Sequence, residues 1–495
     1  MADQEQLAYE RLGAAKLSLI DCIAQSVGFI GPVFSSAFVI PLIVGVISAT
    51  GKGAGGAAPL AVLIAAVGIF ALGWIVATYA RRVHAAGSLY DYVSMSLGGQ
   101  VGTASGWLYY SGTIALTAGL IVLMGGYLHD TLDAEFHHPI MQGWVWSVVI
   151  AAGIFLVLFL GVQISTRVQL TLALISVAVV LVFFLYVIVK LGSANDFAKA
   201  FNPSTAPDGW SGVLFGVLYA VLIFVGFETA ANLAEETAEP KRQIPRAVLL
   251  SVVIVSVFYL IAAYVEVAGF HFDLQVILSA AAAPLFALAS PSSAGGFGSV
   301  TLVRVMELVV LLDMIAVAVG ASVSSTRGVF AMARDRRLPG PLASVSSRYG
   351  TPLGAIVFLT VIDLLFIAAN QWWTSLFALY GPPPSPHYFA IFSWASTYGA
   401  FALVVVYALM ALGSLRGVEG RVTPGLILAA IVGLALTGGA IYGSIYKVPT
   451  PTKLAPYYAI AVFVIGLIVS FVVKGREPAS RALPDLRSGA VTTGR

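Results

Sequence analysis

Long apolar runs, separated by short polar or Gly/Pro-rich joints, fill this chain. A helix that crosses the hydrocarbon core of a bilayer needs about 20 apolar residues. Twelve such runs occur, near 17–47, 58–80, 103–128, 142–162, 168–190, 211–232, 247–269, 300–325, 353–370, 388–412, 424–445 and 456–474. The two-residue alternation of a membrane β-barrel is absent, so the pattern predicts helices. The tails 1–15 and 475–495 read as solvated. The stretch 270–298 is too short and broken to span and is expected to fold back as a short external helix pair.

Composition agrees with this pattern. Hydrophobic residues make up 59% of the 495 and charged residues 10%, against about 45–50% and about 25% in soluble domains. So little charge could not cover a soluble surface, and disorder needs the opposite balance. The single cysteine, Cys22, excludes a disulfide framework and cysteine-based metal clusters. A net charge of +3 speaks against nucleic acid as a partner. The polar, acidic start Met1-Ala2-Asp3-Gln4-Glu5-Gln6 lacks the basic region of a cleaved signal peptide, so the first run is expected to remain as a span.

Placing the basic residues predicts orientation, because cytoplasmic loops carry the excess of Lys and Arg. With both termini cytoplasmic, only Lys52, Lys190, Lys199, Arg304, Lys447 and Lys453 fall outside, and the other 20 of 26 fall inside. The expectation is a multi-pass protein of the plasma (inner) membrane, in contact with lipid.

Two spans are interrupted. The first contains Gly28-Phe29-Ile30-Gly31-Pro32-Val33-Phe34-Ser35, where Pro32 cannot complete the helical ladder. The sixth contains Phe224-Val225-Gly226-Phe227-Glu228, an acid beside a glycine. The breaks lie five spans apart, an odd offset that would invert a second copy of the unit. Breaks at matching places of two inverted halves point to a transporter binding site, since unwound backbone at that depth must line a cavity or be buried in protein. A plain proline kink in a structural helix is the alternative, and one break alone would favour it.

Several motifs are longer. Gly226-Phe227-Glu228 is followed by Glu235-Glu236 and by Pro240-Lys241-Arg242-Gln243-Ile244-Pro245-Arg246-Ala247. Ser325-Thr326-Arg327-Gly328 runs on to Ala333-Arg334-Asp335 and Leu338-Pro339. Gly87-Ser88-Leu89-Tyr90-Asp91-Tyr92 precedes Gly106-Trp107-Leu108-Tyr109-Tyr110. Together they resemble the signature of the amino acid–polyamine–organocation permeases, over residues 16 to about 415. The resemblance implies an all-α membrane protein of the leucine-transporter type with about 12 transmembrane helices. Discontinuous helices 1 and 6 belong to a 5+5 inverted repeat. The ten-helix core would cover 16–412, with repeats at about 16–190 and 211–412, followed by two peripheral helices in 413–474.

The same resemblance implies an amino acid permease that works by alternating access as proton-coupled symport or exchange, with no cofactor. The backbone around Gly28, Ile30, Gly31, Pro32, Val33 and Ser35 would take a substrate carboxylate. This chain has Gly-Pro-Val where the family usually has a Gly-Ser-Gly-like triplet, which points toward a different head group. Phe224, Val225, Gly226 and Phe227 would present unwound carbonyls to the amino group. Leu222 stands where several members have an aromatic gate. Thr113 and Thr117 share one helix face and fall where members contact the substrate side chain; bonding to their own backbone is the alternative. Some sodium-independent members carry a lysine in span five, where this chain has Ser176. With Ser322, Ser324 and Ser325, that leaves sodium as an alternative to the proton.

Acids inside spans are costly and usually functional. Glu228 and Asp313 have no Lys or Arg one turn away. An unpaired carboxyl out of water is driven toward its neutral form, which suits proton coupling. Asp313 could instead meet the ammonium of a polyamine or ethanolamine-like substrate, and either acid could simply be bonded to backbone. Glu266 lies nearer the outer face. Glu307 is expected to pair with Arg304, and Asp363 lies in span nine, which the resemblance implies is set apart from the binding centre. Glu235 and Arg327, with Glu236 and Arg334, sit at the expected cytoplasmic ends of spans six to eight. Ion pairs locking an inner gate and simple anchoring are both open. The stretch 129–138, rich in His and Asp, reads as a solvated loop without zinc-site spacing. An enzyme would need a nucleophile–base pair or metal ligands within spans, and a channel a repeated pore loop; neither pattern is present.

Overall fold

The computed structural model describes residues 12, 17–45, 53–279, 284–291, 296–373, 375, 387–418, 421–445 and 454–473. The expectations for tails 1–15, apart from Leu12, and 475–495 fall outside these residues. In chain order the helices are α1 (Leu19–Ile30), α2 (Pro32–Phe38), α3 (Ile40–Val44), α4 (Ala58–Ala80), α5 (Leu89–Leu97), α6 (Gly99–Phe136), α7 (Gly143–Leu160), α8 (Val162–Leu191), α9 (Phe197–Ala200) and α10 (Trp210–Leu222). They continue with α11 (Pro240–Ala268), α12 (Leu274–Ser279), α13 (Pro284–Ala289), α14 (Val300–Arg334), α15 (Leu353–Trp372), α16 (His387–Ser414), α17 (Pro424–Ile445) and α18 (Ala455–Val472). No strand occurs among the described residues.

Ten helical stretches among them are long and apolar enough to cross a membrane. The chain is an all-α, multi-pass membrane protein. Of the other two predicted runs, one carries the 13-residue α10 and the other the 35-residue α14. Apolar side chains such as Leu174, Val182 and Val189 on α8 are exposed. In water such a flank would be a liability, whereas lipid tails cover it without cost.

Local chemistry sets the helix ends. α1 starts in a capping box: Ser18 Oγ accepts the Asp21 N–H at 3.4 Å and Asp21 Oδ2 accepts the Ser18 N–H at 2.9 Å. α6 runs 38 residues, about 57 Å at 1.5 Å per residue. The expected loop at 129–138 is therefore largely helix, because no Gly or Pro interrupts the run before Pro139. Three of its side chains are engaged. His129 Nδ1 meets the Met141 carbonyl at 2.8 Å, Asp130 accepts from Tyr388 at 2.5 Å, and Glu135 pairs with Arg304 at 2.8 Å. That last contact corrects the expected Arg304–Glu307 pair: the long Arg304 side chain reaches across to α6 instead of along its own helix. The stretch between α11 and α14 contains the two short helices α12 and α13.

Candidate functional site

The first break is built by a glycine and a proline. α1 ends at Gly31, whose φ of +61° is left-handed, and Pro32 opens α2 without needing a donor. A side chain at Gly31 would be strained by that φ. Its Cβ would also lie 2.2 Å from Val317 Cγ2 on α14. Restarting a helix here leaves backbone N–H groups without partners in the chain before them. Asp313 of α14 supplies the acceptor: its Oδ2 takes the Val33 N–H at 2.9 Å and the Phe34 N–H at 2.8 Å. The carboxylate also faces the positive end of the short helix. Asp313 is fully buried, and its Oδ1 has no hydrogen-bond partner among the described residues. The Val33 donor that the family resemblance assigns to a substrate carboxylate is thus taken by the chain's own acid.

The second break follows α10. Residues 223–228 form turns, Gly226 has φ +111°, and a 3₁₀ segment, Thr229–Glu236, continues the span. A Cβ on Gly226 would press on Phe29 of α1 at 2.9 Å. Ser26 joins the two breaks. Its hydroxyl donates to the Phe227 carbonyl at 2.9 Å and accepts the Ala230 N–H at 3.1 Å. Ser26→Ala would leave both backbone groups unpaired in a dry place, and is expected to cost about 1–3 kcal/mol. Thermal unfolding in detergent measures this, and a loss below about 0.5 kcal/mol would show that the bridge is not holding the breaks together.

Glu228 sits between these elements with no exposed surface. The hydroxyls of Tyr109 on α6 and Tyr407 on α16 donate to its two oxygens, the latter at 2.9 Å. The Phe227 ring lies 5.3 Å from that of Tyr407. Phe224 stands edge-on to Tyr259 of α11 at 5.3 Å, and the Tyr259 hydroxyl is buried without a hydrogen-bond partner among the described residues. Gly28, Ile30, Gly31, Pro32, Val33, Ser35, Phe224, Val225, Gly226 and Phe227 are all buried around this centre.

Thr113 and Thr117 are buried on α6, and both bond to their own helix. Thr113 Oγ1 donates to the Tyr110 carbonyl at 3.2 Å and accepts from Ser325 of α14 at 2.8 Å. Thr117 donates to the Thr113 carbonyl of its own helix at 2.8 Å, the backbone alternative. The hydroxyls weighed for sodium turn to separate acceptors: Ser176 to the Val309 carbonyl, Ser322 to the Ala318 carbonyl, Ser324 to Asn232 and Ser325 to Thr113.

Both flanks of the centre are closed. Beside α2, Phe34 and Phe38 pack at 5.7 Å, Phe34 against Phe392 at 5.8 Å, and Phe38 against Tyr127 and Phe286 at 6.5 and 6.4 Å. Leu222 is half-buried and contributes no ring. Beyond the 3₁₀ segment, Arg327 forks onto Glu236, Nε to Oε2 at 2.6 Å and Nη2 to Oε1 at 3.2 Å. Arg334 forks onto Glu235 at 2.8 and 2.9 Å, and Glu235 also accepts the Ala86 N–H at 2.9 Å. Glu235 and Arg327, predicted in one gate, belong to two neighbouring pairs.

Sequence reasoning missed Tyr407, Tyr259, Asn232, Gln25 and Gln169. Gln169 donates to Gln25 at 3.2 Å and Gln25 to the Gly320 carbonyl at 2.9 Å, linking α8, α1 and α14. Asn232 donates to the Ala86 carbonyl and to Tyr110. A buried amide inside an apolar run was a usable signal for the two glutamines and for Asn232. The tyrosines stood out in no way from the other 18 in the chain.

Comparison with known proteins gives a consistent picture. Residues 28–481 match the family described as amino acid permease. The chain is 23% identical to the branched-chain amino acid permease BcaP of Bacillus subtilis, over 65% of this chain and 70% of that one. It is 24% identical to the amino-acid permease AapA of the same organism, over 57% and 60%. It is 25% identical to the lysine-specific permease LysP of Lactococcus lactis, over 59% and 58%. For AapA and LysP the match spans less than two thirds of the relative's own length.

Proposed function

The chain belongs to the amino acid permease family, and on that premise we propose that it is a secondary active transporter, not an enzyme, moving an amino acid or small amine across the plasma membrane. It has twelve spans with both termini cytoplasmic, and two five-helix repeats of opposite orientation. Transport runs by alternating access and is coupled to protons, as symport or exchange. The observation that carries this reading is the pair of unwound segments, Gly31 with Pro32 and 223–228, joined through Ser26 and closed on both flanks. Irregular backbone at membrane depth lines a cavity or is buried in protein, and breaks at matching places of two inverted halves are the best pointer to a binding site. The substrate lies against Gly28, Ile30, Ser35, Phe224 and Val225, with Thr113 toward its side chain. The aromatic cluster around Phe38 and the Arg327–Glu236 and Arg334–Glu235 pairs open in turn.

Glu228 is the coupling group in this reading. It is the buried acid that touches three moving parts, the broken span, α6 and α16.

The test is uptake into proteoliposomes with labelled amino acids and amines, with and without pH and sodium gradients. Substrate accumulation driven by an inward proton gradient is the expected result. Absence of uptake or exchange for every compound would overturn the reading.

A further inference from the structure

Asp313 does within the chain what a ligand carboxylate would otherwise do at the first break. One of its oxygens takes both free donors, the Val33 and Phe34 N–H groups. The other, Oδ1, is buried and bonded to nothing among the described residues. No Lys or Arg occurs in α1, α2 or residues 223–236. On α14 the nearest basic residues are Arg304, paired with Glu135, and Arg327, paired with Glu236. Both lie more than two turns from Asp313 along the helix.

A second carboxylate brought to this place would find the donors occupied and, with Asp313 ionised, a like charge beside it in surroundings where charges are poorly screened. A cation would find the reverse: a buried carboxylate oxygen with no hydrogen bond of its own. We infer that Asp313 sets the ligand class of this site: it occupies the place of a ligand carboxylate and presents its free oxygen to the protonated amine of a ligand that has no carboxylate of its own. This rests on the permease reading above, and narrows its substrate from amino acids and amines to amines.

The experiment uses the full chain in proteoliposomes and matched pairs of labelled compounds that differ only by a carboxylate: leucine and isopentylamine, tyrosine and tyramine, ornithine and putrescine, serine and ethanolamine. The wild-type protein is expected to take up the amine of at least one pair about tenfold or more faster than its parent amino acid, the factor that one hydrogen bond to a charged group supplies. Asp313→Asn separates the two roles of the residue. Its amide oxygen still accepts the Val33 and Phe34 N–H groups, so the melting temperature should stay near wild type. Its NH₂ group, however, replaces the free oxygen, and amine uptake should fall about tenfold or more. A purely structural cap would leave amine uptake unchanged in this variant, and that result overturns the inference. So does a wild-type protein that prefers the amino acid in every pair, which would leave the permease reading standing. Silence toward all eight compounds would remove both.

Discussion

Replacing Arg327 by methionine is expected to destabilise the protein by about 3–5 kcal/mol, the cost of leaving a buried charge without its partner. Arg327 and Glu236 expose 1% and 2% of their side chains. The fork satisfies both carboxylate oxygens, and Arg327 Nη1 lies 3.4 Å from the Val323 carbonyl. Methionine fills much of the space but leaves Glu236 an anion with no counter-charge in a dry interior. The double variant Arg327→Met/Glu236→Met removes both charges and should recover most of the loss, because a buried pair is often replaceable by apolar residues of similar volume. Thermal unfolding of the four proteins in one detergent measures the cycle. A single variant within about 1 kcal/mol of wild type would show that Glu236 finds another partner or water. If the pair also closes this end during transport, the stable double variant should exchange substrate at an altered rate.

Glu228→Gln is expected to abolish proton-driven accumulation while leaving substrate exchange measurable. Two tyrosine hydroxyls donate to Glu228, an arrangement that satisfies a carboxylate. A protonated acid gains a donor that needs an acceptor, and its oxygens accept the two tyrosine hydrogen bonds more weakly than a carboxylate does. Loading or releasing a proton therefore changes the contact between the broken span and α6 or α16. Glutamine always carries donors at one of the two positions and freezes one of these patterns. Uptake measured across a series of external pH values checks this. Unchanged pH dependence in the variant would remove Glu228 from the coupling role.

Much of the architecture was legible along the chain. The apolar runs fell on helices because a bilayer demands backbone bonds closed within each segment, which leaves one structure for a run of that length. The breaks at Gly31-Pro32 and Gly226 were legible for an equally local reason: proline lacks a donor and glycine adopts positive φ. The end of α6 was not. Charged residues between His129 and Glu135 looked like a loop, yet no local feature stops the helix there.

What the sequence alone determined was the membrane class, the helical runs, the two breaks and the short set of buried acids. Only the tertiary structure decided what each acid meets. Asp313 caps a helix 280 residues away, Glu228 binds a tyrosine 179 residues on, and Glu235 and Glu236 choose different arginines. The physical reason is that helices in a membrane are apolar on nearly every face, so periodicity no longer tells which face meets which neighbour. Close packing makes that choice, and it is made between residues that no local pattern connects.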